Sequence, residues 1–195
     1  CAAGALRQVL RDKRYDPDQH PLVGATPFAG QRPEGWQGLG NFATLDYCWL
    51  HTEIEDPIER LRASHEASQQ MKEHLKASVE AGADINAIFQ VCPPWLIAFI
   101  RWYINKQQGA LSFFGNAILS NVPGPREPIY IDRYKLDSWF STGQIVDGTC
   151  INMTMWSYCG RANLCVLADK EVIPDGWVVF QYFLTELARL VGTRP

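Results

Sequence analysis

The sequence predicts an α+β domain in which helices pack on a mixed, mostly antiparallel sheet. Its 195 residues are 47% hydrophobic and 20% charged, a composition typical of one globular domain with a sizeable core. Strand-like segments fill much of the second half of the chain, and amphipathic helical segments flank them. Helices that flank mixed or antiparallel strands indicate a layer of helices on a sheet.

Three amphipathic helices are expected. The first opens the chain with alanine and leucine at helical spacing and no capping residue before them, as in a fragment or cleaved product that begins inside a helix. The second begins after Asp56, an N-cap, with Pro57 in its first turn and Glu59 placed for a reciprocal cap. It should extend to about Ser78. The last begins after a cap at Asp175.

The most apolar stretch, residues 87–104, is expected to hold a short helix from Pro94 to about Lys106. Pro93 and Pro94 divide this stretch and Arg101 lies in its second part, so it is poorly suited to span a bilayer. Two interpretations are open. The helix either belongs to the core or lies in the plane of a membrane surface with its aromatic side chains in contact with lipid.

Short segments rich in β-forming residues and bounded by turn residues predict the strands. A hairpin turn is expected at Cys159-Gly160-Arg161 because the two segments that flank it are strand-like and close together. The residues between the first helix and the second strand are rich in proline and glycine and indicate a long loop with one short strand in it. The expected strands cover residues 22–25, 41–50, 117–122, 129–134, 151–158 and 163–168.

Charge and motif content exclude several functional classes. A net charge of -3 argues against nucleic-acid binding, which needs a basic face. The six cysteines form no C-x-x-C pair and the four histidines form no metal-binding pair, so no metal site is expected. The cysteines are interpreted as free thiols in a reducing compartment, and a disulfide framework is the alternative because their number is even. The sequence contains no G-x-S-x-G elbow, so it does not indicate a serine hydrolase. The first residues lack the regions of a signal peptide, which favours a cytoplasmic protein.

The segment from Gly38 to Ala43 has the letters of a dinucleotide-binding G-x-G-x-x-A motif. That motif requires a strand before it and a helix that starts inside it, because the helix N-terminus binds the pyrophosphate. Here a proline-rich loop precedes and a strand follows, so the nucleotide interpretation is rejected. Gly40 and Asn41 are interpreted as a loop-to-strand corner, with the Asn41 amide bonded to it or to a neighbouring loop.

The sharpest local signal is Ser120-Asn121-Val122-Pro123-Gly124-Pro125, at the end of an apolar strand. Pro123 sets φ for the first central position of a turn and Gly124 can supply a positive φ at the second, so a rigid type II turn is predicted. Such a corner can hold the Asn121 amide against a neighbouring strand or a ligand. A structural turn and a turn that faces a substrate both fit the residues.

The strand expected at 151–158 has two different faces. Asn152, Thr154, Trp156 and Tyr158 share one face by alternation, and apolar side chains share the other. The polar and aromatic face could line a cleft, or it could pack against another layer of the fold.

The segment Ser120–Pro125 resembles the Asn-Val-Pro-Gly-Pro signature of the wax ester synthase/diacylglycerol acyltransferase family. This family is a branch of the CoA-dependent acyltransferases and is similar in fold to chloramphenicol acetyltransferase. The opening Ala-x-x-Ala-Leu-Arg helix is also similar to one in the family, so the resemblance covers nearly the whole chain. Four further segments resemble family segments: Gly40-Asn41, Asp56–Leu61 with Met71-Lys72 downstream, Asn152–Gly160 and Val172–Asp175.

The resemblance implies that residues 1–195 form the C-terminal lobe of a two-lobe enzyme with a chloramphenicol acetyltransferase-like fold. Family members carry a His-His-x-x-x-Asp-Gly motif in the N-terminal half, and its second histidine is the base for the acceptor hydroxyl. This chain lacks the motif, so no catalytic residue is expected in it, and the isolated chain is expected to be inactive. The residues expected to shape the substrate channel or the interface between lobes are Ser120, Asn121, Val122, Pro123, Gly124, Pro125, Asn41 and Asn152.

The implied reaction transfers a long-chain acyl group from acyl-CoA to diacylglycerol or to a fatty alcohol, which makes triacylglycerol or wax ester. Acyl-CoA is a substrate, and no cofactor is implied. The expected partners are the N-terminal lobe and these lipids, with no nucleic acid. The expected location is cytoplasmic, with peripheral contact to the inner membrane or lipid droplets as a further expectation. A noncatalytic module that binds a lipid surface or a partner is the alternative, and an acyltransfer domain of the polyketide or peptide type is a third.

Overall fold

The computed structural model of the chain describes residues 1–29, 37–38, 43–80, 92–106, 115–146 and 148–192. Within these residues there are four α-helices and seven β-strands. The helices are α1 Ala2–Asp12, α2 Pro57–Glu80, α3 Pro94–Lys106 and α4 Gly176–Gly192. The strands are β1 Val23–Ala29, β2 Ala43–Trp49, β3 Ala117–Val122, β4 Tyr130–Ile131, β5 Tyr134–Lys135, β6 Ile151–Tyr158 and β7 Arg161–Ala168.

Five of the strands form one mixed sheet in the order β2-β1-β3-β6-β7. The three central strands β1, β3 and β6 are parallel, and each edge strand is antiparallel to its neighbour. The short strands β4 and β5 form a separate antiparallel hairpin. Three of the five described pairings are therefore antiparallel, and the predicted α+β class with a mixed sheet is confirmed.

Helices α1, α2 and α4 cover one face of the sheet. Helix α1 packs on α4, α2 packs on β2 and α4, and α4 packs on β7. Alternate residues of β3 and β6 point into this layer, where each fully enclosed aliphatic side chain contributes about 1.5–3 kcal/mol. The core cluster is Ala5, Leu6, Leu50, Ala117, Ile151, Met153, Ile173 and Val179.

The opposite face of β6 is covered by the extended segment of residues 136–146. The rings of Trp139 and Trp156 stack with centroids 4.9 Å apart. The Tyr158 hydroxyl, on a side chain that is 1% exposed, donates to the Leu136 carbonyl oxygen at 2.9 Å. Of the two interpretations of the polar and aromatic face of β6, the structure therefore shows packing against another layer.

Asn152 belongs to this covered face. Its Nδ2 donates to the Gln144 carbonyl oxygen at 3.0 Å, and its Oδ1 accepts from the Thr154 hydroxyl at 2.8 Å. A Cβ on Gly143 would lie 2.4 Å from the same Nδ2, so the segment and the strand are in direct contact. With 3% of its surface exposed, Asn152 holds the segment onto the sheet and does not face a cleft.

Two buried arginines tie the helices to the loop of residues 52–55. Arg7 Nη1 donates to the first two carbonyl oxygens of the loop at 2.5 and 2.9 Å, and Arg60 Nη1 donates to the next two at 2.5 and 3.1 Å. Arg60 Nη2 also forms a buried ion pair with Glu186, which joins α2 to α4. Gly4 of α1 lies against the same carboxylate, so three helices meet there.

The predicted N-caps at Asp56 and Asp175 are confirmed. Asp56 Oδ1 accepts from the backbone N–H groups of Ile58 and Glu59 at 2.9 and 2.8 Å. Asp175 Oδ1 accepts from the backbone N–H of Trp177 at 2.9 Å. These bonds satisfy N–H groups that the first turn of a helix leaves without partners.

The hairpin turn at 159–161 is also confirmed. Cys159 and Gly160 have φ values of 48° and 77°, which is the pattern of a two-residue turn that matches the strand twist. The strand predicted over residues 129–134 is wrong in detail, because Asp132 has a φ of 57° and the segment folds back as the β4-β5 hairpin. A polar residue with positive φ is a local event that the apolar pattern around it conceals.

Helix α3 has the predicted bounds, but its described side chains are largely exposed. Trp95, Phe99 and Trp102 are 69%, 55% and 54% exposed. The described residues therefore contradict the interpretation of α3 as a core helix. An apolar sequence alone does not distinguish a buried helix from an exposed one. None of the helices in the described ranges has both the length and the apolar character that crossing a membrane requires.

Candidate functional site

A cavity of about 500 Å³ lies between the sheet and the helix layer. It is bordered by the later residues of β1 and β3, by the middle of β6 and β7, and by the middle of α2. Ligand sites on such layered folds commonly lie near the carboxyl ends of parallel strands. The lining residues are Ala2, Thr26, Pro27, Cys48, Ser68, Met71, Lys72, Leu119, Ser120, Asn121, Pro123, Met153, Met155, Leu164 and Phe183.

The cavity changes from apolar to polar along its depth. Met71 and Met153, which we call the inner wall, are 7% and 3% exposed. Lys72, Asn121 and Pro123, which we call the mouth, are exposed. The interior therefore suits apolar groups, and the mouth can hydrogen-bond or pair with a polar one.

The segment Ser120–Pro125 runs from the end of β3 along the end of β6. The Gly124 N–H donates to the Ser157 hydroxyl at 3.0 Å, and the Pro125 carbonyl oxygen accepts from the Cys159 N–H at 3.0 Å. A Cβ on Gly124 would lie 2.0 Å from the Ser157 carbonyl oxygen. The segment is thus fixed against β6 by its backbone, and its first residues reach the cavity.

The type II turn predicted for this segment is wrong. Gly124 is not among the described glycines with positive φ, which are Gly115, Gly148 and Gly160. The glycine is needed for a different physical reason. It allows two backbones to approach more closely than any Cβ would permit, a use of glycine that φ does not reveal.

Comparison with known proteins decides the family. The sequence profile of the WS/DGAT C-terminal domain, where WS/DGAT abbreviates wax ester synthase/diacylglycerol acyltransferase, matches residues 39–191. The chain belongs to the WS/DGAT C-terminal domain family. The resemblance seen in the sequence is thereby confirmed.

Two relatives illustrate the extent of the match. A Mycobacterium tuberculosis protein named as a diacylglycerol O-acyltransferase is 40% identical over 177 residues, which are 91% of this chain and 37% of that protein. The O-acyltransferase WSD of Acinetobacter baylyi is 28% identical over 172 residues, 88% of this chain and 36% of that protein. The WS/DGAT chain described here therefore spans less than half the length of these relatives.

The fold has a counterpart among solved structures. The wax ester synthase/diacylglycerol acyltransferase from Marinobacter aquaeolei VT8 superposes with a TM-score of 0.63 and 22% identity. The superposition covers 96% of this chain and 40% of that chain. At this level of identity the likeness concerns the fold alone, and it confirms the fold class that the family resemblance implied.

The WS/DGAT signature residues take different places around the cavity. Ser120, Asn121 and Pro123 line it. Val122, Gly124 and Pro125 lie in the same segment and contribute by holding it on β6. Asn152 is on the other face of the sheet, and Asn41 lies outside the described residues. The structure therefore brings three of the eight predicted residues together at the cavity.

Most of the apolar lining was not among the predicted site residues. Met153 and Met155 alternate with the polar face of β6, and Met71 and Lys72 were noted only as part of the family resemblance. Alternation alone placed the two β6 methionines on one face, but it assigned them no role. These side chains border the cavity because a gap lies between α2 and the sheet. A local sequence pattern does not predict such a gap.

The cavity can bind a ligand, but its described lining contains no imidazole or carboxylate group. Among the described residues that line it there is no histidine, aspartate or glutamate, and the four histidines of the chain lie elsewhere. Burial, with a smaller effect from the Asp46 carboxylate, raises the pKa of the Cys48 thiol, so this group is a neutral lining atom near neutral pH. The described residues also form no cluster of three or more metal-ligating side chains.

Proposed function

We propose that this chain is the C-terminal lobe of an O-acyltransferase that moves a long-chain acyl group from acyl-CoA to diacylglycerol or a fatty alcohol. The observation that carries the proposal is the position of the signature segment. Ser120 and Asn121 lie at an apolar cavity in a chain that belongs to the WS/DGAT C-terminal domain family. The names of the relatives, one after diacylglycerol and one after wax ester synthesis, support the two acceptor classes.

In this proposal the catalytic base lies on an N-terminal lobe outside residues 1–195. A histidine there takes the proton of the acceptor hydroxyl, whose oxygen attacks the thioester carbonyl carbon. The carbon–sulfur bond breaks, CoA leaves as the thiol after it accepts a proton, and the ester is released. The reaction needs no cofactor besides the acyl-CoA substrate. The described lining residues of the cavity include no histidine, which is consistent with this division of work.

An exposed apolar hairpin supports a contact surface for that lobe. Tyr130, Ile131 and Tyr134 of the β4-β5 hairpin are 60%, 71% and 65% exposed. The Tyr158 hydroxyl accepts from the Ile129 N–H at 2.9 Å and so anchors the hairpin to β6. Exposed apolar clusters on a rigid base commonly mark interaction sites. We assign this surface to the N-terminal lobe.

The predicted site residues have distinct parts in the proposal. Ser120 and Asn121 shape the channel where it meets the other lobe, and Val122 through Pro125 hold them in place. Asn152 contributes by fastening residues 136–146 to the sheet. Asn41 stays in the proposal on the family resemblance alone.

The proposal is tested with the complete protein, palmitoyl-CoA and each acceptor in turn. Formation of triacylglycerol or of wax ester, measured as labelled ester and as released CoA thiol, is the expected result. The same assay with Asn121→Ala should give a lower rate. Absence of ester with both acceptors, from a protein shown to be folded, would contradict the proposed function.

A second candidate function rests on helix α3. Trp95, Phe99 and Trp102 are exposed, and Lys106 Nζ lies 5.0 Å from the Trp102 ring centroid. Aromatic side chains with a cationic neighbour suit the interface of a membrane, where the rings contact the acyl boundary and the cation the headgroups. We propose a cytoplasmic protein that uses α3 for peripheral contact with a lipid surface.

Flotation with vesicles that contain anionic phospholipid tests this contact. The protein should float with the vesicles, and a Trp95→Ser/Phe99→Ser/Trp102→Ser variant should stay in the soluble fraction. Trp177→Ser is the matched control because Trp177 is 72% exposed on a different helix. Equal flotation of the triple variant would remove α3 from the account.

A further inference from the structure

We propose that Ser157 is a positioning residue for acyl transfer. Its hydroxyl holds the signature segment on β6, so that Ser120 and Asn121 keep their places at the cavity. The inference rests on the proposed function and adds to it a residue that does not belong to the described lining of the cavity. Ser157 lies one residue before the end of β6.

The segment Pro123–Pro125 offers a single backbone donor. Proline has no N–H group, so Gly124 carries the only backbone N–H among these three residues. That N–H donates to the Ser157 hydroxyl at 3.0 Å. One side chain therefore accepts the one hydrogen bond that these three residues can donate from their backbone.

The hydroxyl continues the attachment of the segment past the point where the parallel ladder stops. The pairing of β3 with β6 ends at Val122 and Trp156. The next residue of the segment is Pro123, which cannot donate to a ladder. Since backbone pairing stops there, the Gly124 N–H bonds to the side chain of Ser157 in place of a backbone carbonyl oxygen.

Two contacts prevent the segment from moving closer to β6. A Cβ on Gly124 would collide with the Ser157 carbonyl oxygen and would lie 3.8 Å from Cε3 of Trp156. The Trp156 ring is itself stacked on the ring of Trp139, with centroids 4.9 Å apart. Loss of the bond to the Ser157 hydroxyl therefore lets the segment move only away from the strand.

Such a movement would displace the residues at the cavity without changing their side chains. Asn121 and Ser120 lie three and four residues before Gly124 in the chain. A displacement of about 1 Å can lower the rate of a reaction by about 100-fold. Because the cavity keeps its lining, we expect kcat to fall while KM for acyl-CoA stays within about twofold of the wild-type value.

The test compares two substitutions of Ser157 in the complete enzyme, with palmitoyl-CoA and one acceptor. Ser157→Ala removes the acceptor of the Gly124 N–H and should lower kcat by about 10–100-fold. Ser157→Thr keeps a hydroxyl at this position, and threonine suits a strand, so this variant should retain at least about half of the wild-type kcat. Each variant is assayed well below its own Tm, so that unfolded protein does not contribute to the difference.

Thr149→Ala is the matched control for a merely structural loss. The Thr149 hydroxyl also accepts from a backbone N–H, that of Val146 at 3.2 Å, and Thr149 is buried. It lies just before the first residue of β6, whereas the signature segment lies along the end of the same strand. The substitution should lower Tm and leave kcat of the folded enzyme within about twofold of the wild type, because the two sites share no partner.

Amide hydrogen exchange reports the position of the segment without any assay of activity. The Gly124 amide should exchange slowly in the wild type and in Ser157→Thr, and at least about tenfold faster in Ser157→Ala. Since both neighbours of Gly124 are prolines, mass spectrometry of fragments from this segment can isolate its amide. Exchange of the wild-type Gly124 amide at the rate of an unstructured peptide would overturn the inference even if no variant folds.

The kinetic outcomes separate the inference from the proposed function. A complete wild-type enzyme that transfers no acyl group would overturn the proposed function and the inference with it. An active enzyme in which Ser157→Ala has the kcat of Ser157→Thr, or loses no more of it than Thr149→Ala does, would overturn only the positioning role of Ser157. A kcat that falls in Ser157→Ala and recovers in Ser157→Thr supports that role.

Discussion

The backbone of Gly124 lies directly on the carbonyl oxygen of Ser157. A Cβ at Gly124 would be 2.0 Å from that oxygen, and the Gly124 N–H bonds to the Ser157 hydroxyl at 3.0 Å. This contact fixes the last residues of the signature segment on β6. The orientation of Asn121 at the cavity mouth therefore depends on a glycine that is not itself part of the lining.

Gly124→Ala should destabilise the domain and displace the signature segment. The added methyl group would collide with the backbone of Ser157, so the signature segment must move away from β6, at a cost of about 1–3 kcal/mol. For a chain of this length about 2 kcal/mol corresponds to a fall in Tm of about 4–8 °C. Thermal unfolding followed by circular dichroism measures the change.

Gly176→Ala is the matched control for that experiment. A Cβ at Gly176, the first residue of α4, meets nothing within 4 Å. This alanine should leave Tm unchanged or raise stability by up to about 1 kcal/mol through the unfolded chain. Equal stability of the two alanine variants would contradict the close-contact explanation of Gly124.

Asn121→Ala should mainly lower activity, whereas Asn152→Ala should mainly lower stability. Asn121 is exposed at the cavity mouth, so its removal should lower acyl transfer by the complete enzyme and change the free energy of unfolding by less than about 0.5 kcal/mol. Asn152 bonds Gln144 and Thr154 while 3% exposed, so its removal should cost about 1–3 kcal/mol. Urea unfolding and the ester assay, run on both variants, check the pair. A stable Asn121→Ala enzyme with the wild-type rate would remove Asn121 from the site.

Breaking the buried pair between Arg60 and Glu186 should strongly destabilise the helix layer. Each side chain is 5% exposed, so Glu186→Ala leaves a buried guanidinium without its carboxylate, at a cost of about 3–5 kcal/mol. The double variant Arg60→Met/Glu186→Leu should recover much of that loss, because apolar residues of similar size need no partner. Urea unfolding of both variants tests this, and a single variant as stable as the wild type would show that the pair does not hold α2 to α4.

The reactivity of Cys48 should depend on pH in a defined direction. Burial first, and Asp46 second, raise the pKa of its thiol, so alkylation should need a higher pH than an ordinary thiol does. Because the unfolded chain loses this proton at a lower pH than the folded chain, the stability that Cys48 contributes is complete below the ordinary thiol pKa. It declines as pH rises through the folded-state pKa.

Peptide mass spectrometry of partly alkylated protein over a pH series gives the Cys48 profile. Asp46→Asn removes the smaller of the two causes and should move the profile toward lower pH while Cys48 stays partly buried. A Cys48 profile at or below that of an ordinary thiol would contradict the assignment of the raised pKa to partial burial beside Asp46.

Features with local physical causes were predicted well from the sequence. Asp56 and Asp175 cap helices through bonds to residues two and three positions ahead, and the Cys159-Gly160 turn is determined by its own two residues. Such signals lie within a few consecutive residues, so reading the sequence in order finds them. The resemblance that named the family likewise rests on short contiguous segments, and the profile match over residues 39–191 confirmed it.

Features that depend on distant residues were not predictable in this way. The reason for Gly124 lies at Ser157, 33 residues away, and the fate of the polar face of β6 depends on residues 136–146 crossing it. The cavity exists because α2 does not close fully onto β3 and β6, a matter of distance between layers. Alternation placed Asn152 and Met153 on opposite faces, but it could not say which face would border the open space.

Acyl transfer from palmitoyl-CoA by this chain alone, by the N-terminal region of the same protein alone, and by the two together tests the central claim most directly. The account predicts ester with diacylglycerol or a fatty alcohol only when both are present, because the chain supplies the cavity and the signature segment while the base lies on the other lobe. Ester formation by the N-terminal region alone at the rate of the combined sample, or none in the combined sample, would contradict it.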